Sequence, residues 1–336
     1  MHRRAILRMF GVAAGTTLAG CSSQTGSSNY PTRNVKIIVP WSQGGGTDRS
    51  TRVLTPTWQK ELGGEFVVQN YPGGSTQVGG ERLYRAEPDG YTLSMWNLPQ
   101  MNATRLFQDA PYTIDDFDYV GTNHFDPTMW FAGKRTPYQD LADVIEAARD
   151  RPGDITVGLT SAVGNTALSA LIVQDTFDIE FNLVNLEGGS NVRQAVLGGQ
   201  VPVVVNQPWA FNPANIGEVT ALGSHTSERQ ILWPDTPSFA ELGFSDMPLV
   251  KEGLGQWKLI MTPGGLKKRY PERYRALVDS YEAAMAAEAY HERASNQGDL
   301  DKILRYNGPE ATYDIVSQVS ESMREFAHLF EAFRGG

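Results

Sequence analysis

Cysteine is almost missing from this chain. Cys21 is the only one in 336 residues, so there is no internal disulfide and no cysteine-based metal site. Histidine is scarce too. Among His2, His124, His225, His291 and His328 no two stand four apart, so the helical zinc pair is absent. Histidine-assisted nucleophiles likewise have little to draw on, and His291-Glu292 reads as a solvated helix face. No Gly-Lys-Ser/Thr follows a glycine run, and no Gly-x-Ser-x-Gly elbow occurs. Basic charge is in deficit: 29 Lys and Arg against 38 Asp and Glu give −9. That balance argues against nucleic acid and against an anionic membrane surface as partners. No apolar run reaches the length that spans a bilayer.

The first residues read as an address rather than as fold. Arg3, Arg4 and Arg8 precede a weakly apolar stretch, Met9 to Ala19, diluted by Gly11, Gly15, Thr16 and Thr17. Leu18-Ala19-Gly20-Cys21 closes it in the manner of a lipobox, with cleavage before Cys21 and a lipid on its thiol. The Arg pair resembles a twin-arginine export signal. A transmembrane helix is the alternative, but the stretch is too short and too rich in Gly and Thr. Removing residues 1–20 takes away three arginines and no acid, moving the charge from −9 to −12. Residues 21–29, rich in Ser, Gly, Asn and Gln, then form a flexible tether.

Past the tether the most informative stretch is Val39-Pro40-Trp41-Ser42-Gln43-Gly44-Gly45-Gly46-Thr47-Asp48. A strand-like run ends at a proline, and three glycines let backbone amides face a bound group. Thr47-Asp48 then offers a helix cap whose free N–H groups and positive dipole end suit an anion. This is not a P-loop, since the lysine is missing. Nor is it a dinucleotide fingerprint: Asp48 and Arg49 occupy glycine slots, and the second strand ends in Gln69-Asn70 rather than an acid. Trp41 either walls the site or packs the core. For Asn70, a loop-stabilising role competes with a lining role.

The same device recurs. Thr160-Ser161-Ala162-Val163-Gly164-Asn165-Thr166 joins a strand to a helix, and so does Leu186-Glu187-Gly188-Gly189-Ser190-Asn191. Asn206-Gln207-Pro208-Trp209 ends a very apolar strand. Singly, each is an ordinary strand-to-helix turn. Together they suggest helix N-termini facing each other across a cleft.

Around these corners the pattern alternates. Strands are expected at Val35–Val39, Phe66–Gln69 and Tyr91–Trp96, with helices at Thr47–Leu62 (broken at Pro56) and Ser75–Arg85. The rhythm restarts with helices at 141–150, 166–177 and 189–197 between strands at 155–159, 182–186 and 201–205. Trp257–Met261 and long helices at 272–289 and 310–333 could return to the first set. This is the pattern of an α/β protein with two lobes, each a mainly parallel sheet flanked by helices. Lobe 1 is expected at 30–126 plus 256–336, and lobe 2 at 127–255.

In this order the motifs resemble the solute-binding proteins of tripartite tricarboxylate transporters, the Bug family of extracytoplasmic receptors. The matching stretches are the Val39–Asp48 loop, Asn70-Tyr71-Pro72-Gly73, Pro88-Asp89-Gly90-Tyr91-Thr92, Gly198-Gly199-Gln200-Val201 and Pro234–Gly243. The resemblance implies a periplasmic-binding-protein-like, Venus-flytrap fold and a receptor without catalysis. It would bind a small carboxylate and deliver it to a permease of one large and one small subunit. Carried over by position, the ligand contacts are Trp41, Ser42, Gln43, Gly44, Gly45, Gly46, Thr47 and Asp48. A second group is Thr160, Ser161, Gly164, Asn165 and Thr166, and a third is Gly188, Gly189, Ser190 and Asn206. Asn206 stands where many members have Asp, and Leu168 falls near a position that is often His. No cofactor and no metal is expected. A monomer, lipid-anchored outside the cell membrane, is. Two alternatives stay open: a receptor reporting to a membrane sensor kinase, and an extracytoplasmic α/β enzyme.

Overall fold

Strong alternation of apolar strands and amphipathic helices leaves one arrangement open to each half of the chain, a sheet covered on its faces. The computed structural model describes residues 30–211 and 218–335; the expected signal, tether and Cys21 lie outside them. The elements in chain order are β1 (Val35–Val39), α1 (Gly46–Leu62), β2 (Phe66–Asn70), α2 (Gln77–Tyr84), β3 (Thr92–Leu98), α3 (Gln100–Phe107) and β4 (Phe117–Pro127). There follow β5 (Met129–Gly133), α4 (Leu141–Asp150), β6 (Thr156–Leu159), α5 (Asn165–Phe177), β7 (Asn182–Asn185), α6 (Gly189–Leu197), β8 (Val203–Asn206) and β9 (Val219–Ser224). The chain closes with β10 (Gly255–Pro263), α7 (Leu266–Arg269), α8 (Pro271–Ala286), α9 (Glu288–Ser295), α10 (Pro309–Glu325) and α11 (Ala327–Gly335).

Two five-stranded sheets result, ordered β2-β1-β3-β10-β4 and β7-β6-β8-β5-β9. In each, one strand runs against the other four: β10 in the first and β5 in the second. Those reversed strands are where the chain has crossed from the other sheet. β4 leaves the first sheet at Pro127 and β5 begins the second at Met129, with Thr128 between them. The return passes through Leu254 into β10. The crossings lie side by side, since the Thr128 amide donates to the Leu254 carbonyl at 2.8 Å and the His225 amide to the Thr128 carbonyl at 2.9 Å.

Helix α1 runs through Pro56 without a break. Proline removes one backbone donor, but it lies on the exposed face, and the Thr55 hydroxyl reaches the Arg52 carbonyl left free, at 3.5 Å. The opposite face buries Leu54 and Trp58 completely. Trp58 packs on Phe66 and Tyr281 with ring centroids 4.6 and 4.9 Å apart, and its indole N–H donates to Ser280. Burial of a ring this size stabilises by about 3 kcal/mol, enough to hold a helix against one missing hydrogen bond. The segments read as single helices at 272–289 and 310–333 each divide, at Ala287 and at Phe326. Helix α8 packs on α1 and β4, and α10 on β4 and α3, whereas α11 turns to pack on α5 and α3. There Phe330 stacks on Phe107 at 4.5 Å.

Candidate functional site

The Pro40 corner is rigid because its polar side chains bind the loop itself. Asp48 accepts from the Gly44 amide at 2.9 Å, from Asn70 at 2.9 Å and from Arg52 at 3.0 Å. Burial alone would raise the Asp48 pKa; the Arg52, Gly44 and Asn70 hydrogen bonds outweigh it and hold the carboxyl below its ordinary value. Asn70 also donates to the Trp41 carbonyl. Asn97, at the end of β3, accepts from the Trp41 indole at 2.9 Å and donates to the Thr47 hydroxyl at 2.9 Å. Thr47 is therefore not the helix cap that its position suggested. The cap is Gly45, with no side-chain bond, so the first amides of α1 keep their freedom to meet a ligand.

A cavity lies where this corner faces the second sheet. Trp41, Ser42, Gly45, Gly46 and Thr47 line it from one side. Thr160, Gly188, Gly189, Ser190, Asn206, Gln207 and Ala210 line it from the other, and Asp126, Gln256 and Lys258 close it off. The two walls are near each other: a methyl built on Gly188 would stand 3.8 Å from Ser42 Oγ. Gly188 itself has φ +126°, a conformation that needs glycine; it caps α6 without a side-chain bond, and its amide donates to the Thr160 carbonyl at 2.8 Å. Asn206 fixes this corner by donating to the Gly189 carbonyl at 3.2 Å.

The remaining sequence-derived positions sit elsewhere. Gln43, Gly44 and Asp48 lie outside the cavity lining, Asp48 as the loop's internal tie. Of the second corner only Thr160 lines it. Ser161 closes on Val163, and Asn165 donates to Thr128 at the crossing and accepts from Gln100 of α3, both at 2.8 Å. Thr166 shares a hydrogen bond with Thr160 at 3.0 Å. Gly164, with φ +118°, lets the chain pass Gln100; a Cβ there would come within 2.7 Å of its amide nitrogen.

Sequence reasoning missed the charged end of the cavity. Lys258 and Asp126 are each 1 % exposed, and among the described residues the buried Asp, Glu, Lys and Arg side chains are Asp48, Asp126 and Lys258. The Lys258 ammonium donates to His124 Nε2 at 2.9 Å and stands 3.6 Å from Asp126 Oδ2. His124 Nδ1 faces the Asn123 oxygen at 2.7 Å, which puts the imidazole proton on Nδ1 and leaves Nε2 to accept from lysine. Burial, and then the Lys258 charge, push His124 well below its ordinary value, so it is neutral. Burial raises the Asp126 carboxyl to about 6; Lys258 and the Trp209 amide limit the rise. Burial also lowers Lys258, against the pull of Asp126.

Neighbouring strands place these groups together. His124 pairs with Lys258 and Asp126 with Gln256 across β4 and β10, so residues two apart on each strand present one polar face. The register shifts just beyond, between Lys258 and Leu259, where Asn123 is the extra residue on β4. Two polar residues at alternate positions in the apolar run 255–263 were the available signal. Trp209 closes the arrangement: its ring lies 4.1 Å beneath the Arg49 guanidinium, and its N–H donates to the Gln297 carbonyl.

The sequence pattern described as the tripartite tricarboxylate transporter family receptor matches residues 50–308. Protein BugT of Bordetella pertussis is 27 % identical over 269 residues, 79 % of this chain and 80 % of that one. In fold, the chain is similar to the periplasmic binding protein BugD, with a TM-score of 0.78 at 24 % identity over 90 % of this chain and 98 % of the other. It is likewise similar to MatC from Rhodopseudomonas palustris, solved with bound malate, with a TM-score of 0.76 at 24 % identity, covering 90 % and 100 %.

Proposed function

The chain belongs to the tripartite tricarboxylate transporter receptor family, and we propose that it captures a small carboxylate in the cavity between its two sheets. One observation carries the reading. The free amides that begin α1, the Gly188–Ser190 corner and the buried Lys258 ammonium all meet at one cavity. Positive helix ends and a lysine held beside them repel each other and are relieved together by a bound anion. A carboxylate is the anion these groups suit: planar, with lone pairs for backbone N–H groups from both walls and for the ammonium. Malate in a neighbour of the same fold agrees in kind.

Capture works by closure of residues 30–126 and 256–336 upon 127–255, with the adjacent crossings at Thr128 and Leu254 as hinges. A state gap of a few kcal/mol suffices for the ligand to switch them. The loaded receptor then hands its ligand to a permease of one large and one small subunit, from outside the membrane, tethered through a lipid on Cys21. Binding takes place without turnover. A thermal-shift screen of the purified chain against mono-, di- and tricarboxylates is the test. A rise in melting temperature with at least one, and recovery of that compound unchanged, supports the reading. Chemical conversion of a carboxylate, or no shift with any, overturns it.

A further inference from the structure

The carboxylate-facing amides leave one group in the cavity unexplained. Asp126 is an acid in a site built for anions, and among the described residues its Oδ1 is buried without a hydrogen-bond partner on the protein. An unmatched buried carboxylate oxygen is costly, and the groups acting on this carboxyl, Lys258 at 3.6 Å from Oδ2 and the Trp209 amide, leave Oδ1 without a partner. The amide nitrogen of Gln207, another lining residue, is likewise buried without a partner among the described residues. The cavity therefore presents an acceptor next to a donor: Asp126 Oδ1, and the ammonium hydrogens that Lys258 does not spend on His124.

We infer that Asp126 and Lys258 form a subsite for a hydroxyl group carried by the bound carboxylate, which donates to Asp126 Oδ1 and accepts from the Lys258 ammonium. A hydroxyl is donor and acceptor on one atom, which matches this pair. An ammonium group would satisfy Asp126 but would stand against the Lys258 charge, with Arg49 a further cation acting on the same carboxyl. A methylene satisfies neither. Lys258 is thus shared, its charge balancing the ligand anion while one of its hydrogens orients the hydroxyl. Asp126 is the specificity-determining member, because the anion itself gains nothing from it. The inference rests on the receptor reading above and deepens it.

The experiment is calorimetric titration of the full chain with matched probes: propanoate, 2-hydroxypropanoate and 2-aminopropanoate, and butanedioate with its 2-hydroxy and 2-amino forms. Within the better-bound series the hydroxy member should bind about tenfold or more tighter than its parent, because a site that hydrogen-bonds a substrate hydroxyl rejects the analogue lacking it. The amino member should bind no better than the parent. Asp126→Asn should erase the preference, bringing the ratio of hydroxy to parent affinity to within about threefold. Equal hydroxy and parent affinities in the unaltered protein, or preference for the amino member, overturns the subsite while leaving the receptor reading intact. Absence of binding by every probe in both series, with no shift in the wider carboxylate screen, removes the receptor reading and the subsite with it. If Asp126→Asn does not fold, the ratio in the unaltered protein decides alone.

Discussion

The corner at residues 40–48 and the corner at residues 160–166 are built to one recipe and used in opposite ways. Each joins a buried strand to a helix through glycine and small polar residues, and each helix starts at a glycine without a side-chain cap. In the first, Asp48, Asn70 and Asn97 hold the loop from behind, so Trp41, Ser42, Gly45, Gly46 and Thr47 are free to face the cavity. In the second, the polar groups are consumed by the fold. Asn165 ties to Gln100 and Thr128, Ser161 to Val163, and Thr166 to Thr160. The opposing wall comes instead from Gly188–Ser190. An anion-ready turn thus stays open to the cavity only where its polar side chains are tied from behind and the lobe junction does not consume them.

The strongest way to break the comparison is to remove the charge that only the first side presents. Lys258→Met leaves Asp126 buried without its counterion and should lower stability to urea by about 3 kcal/mol. Carboxylate affinity should fall at least about a hundredfold, measured by calorimetry on the folded fraction. Unchanged affinity would place the anion away from this lysine.

Next comes a pair of glycine substitutions that separates structure from binding. Gly164→Ala forces a side chain into the positive-φ region and against Gln100, and should cost about 2 kcal/mol of stability. Affinity of the folded protein should change little. Gly188→Ala carries comparable backbone strain but narrows the gap to Ser42, so affinity should fall as well. Denaturant curves and titrations of both variants show whether the two glycines differ in this way.

Acid sensitivity gives a smaller effect. Burial holds the His225 imidazole at about 4, in part against its Pro248 carbonyl contact, and His124 well below its ordinary value. Both are neutral when folded, while the unfolded chain takes up their protons near 6.5. Their contribution is complete above that pH and is lost as pH falls toward about 4, with a slope of up to about 1.4 kcal/mol per pH unit for each histidine. Asp126, raised to about 6, works the other way from about pH 6 down to the unfolded value of about 3.9, since there the folded state binds the extra proton. Urea stability from pH 7 to 4 should therefore fall with about the slope of one histidine, and Asp126→Asn should steepen it. A flat profile would mean that the histidines are solvated.

The mildest test compares two threonines. Thr47→Val loses the bond to Asn97 and a hydroxyl on the cavity wall, and should weaken carboxylate binding by about 1 kcal/mol. Thr166→Val loses only the internal bond to Thr160 and should lower stability by about 1 kcal/mol with affinity kept. Equal affinity losses would erase the distinction between the corners.

The strands and most helix starts were legible because each needs only a local pattern. The apolar run at 35–39, the glycines after it and the Gly188-Gly189 corner need nothing distant to be recognised. The continuity of α1 through Pro56 was not legible, because it depends on a hydroxyl one residue back and on Trp58 packed against α8. The breaks at Ala287 and Phe326 were equally hidden, since helical periodicity runs on across them.

By itself the sequence determined two things about this protein: an alternating α/β chain, and corners whose backbone can meet an anion. Both follow from residue-by-residue constraints, the period of apolar positions and the freedom of glycine. The tertiary structure decided which corner faces the cavity and what charge waits there. His124, Asp126, Gln256 and Lys258 are more than a hundred residues apart in two pairs, and they share a face only because β4 and β10 run antiparallel in one register. Pairing between distant strands, not local preference, put a buried lysine and an acid at the end of the site.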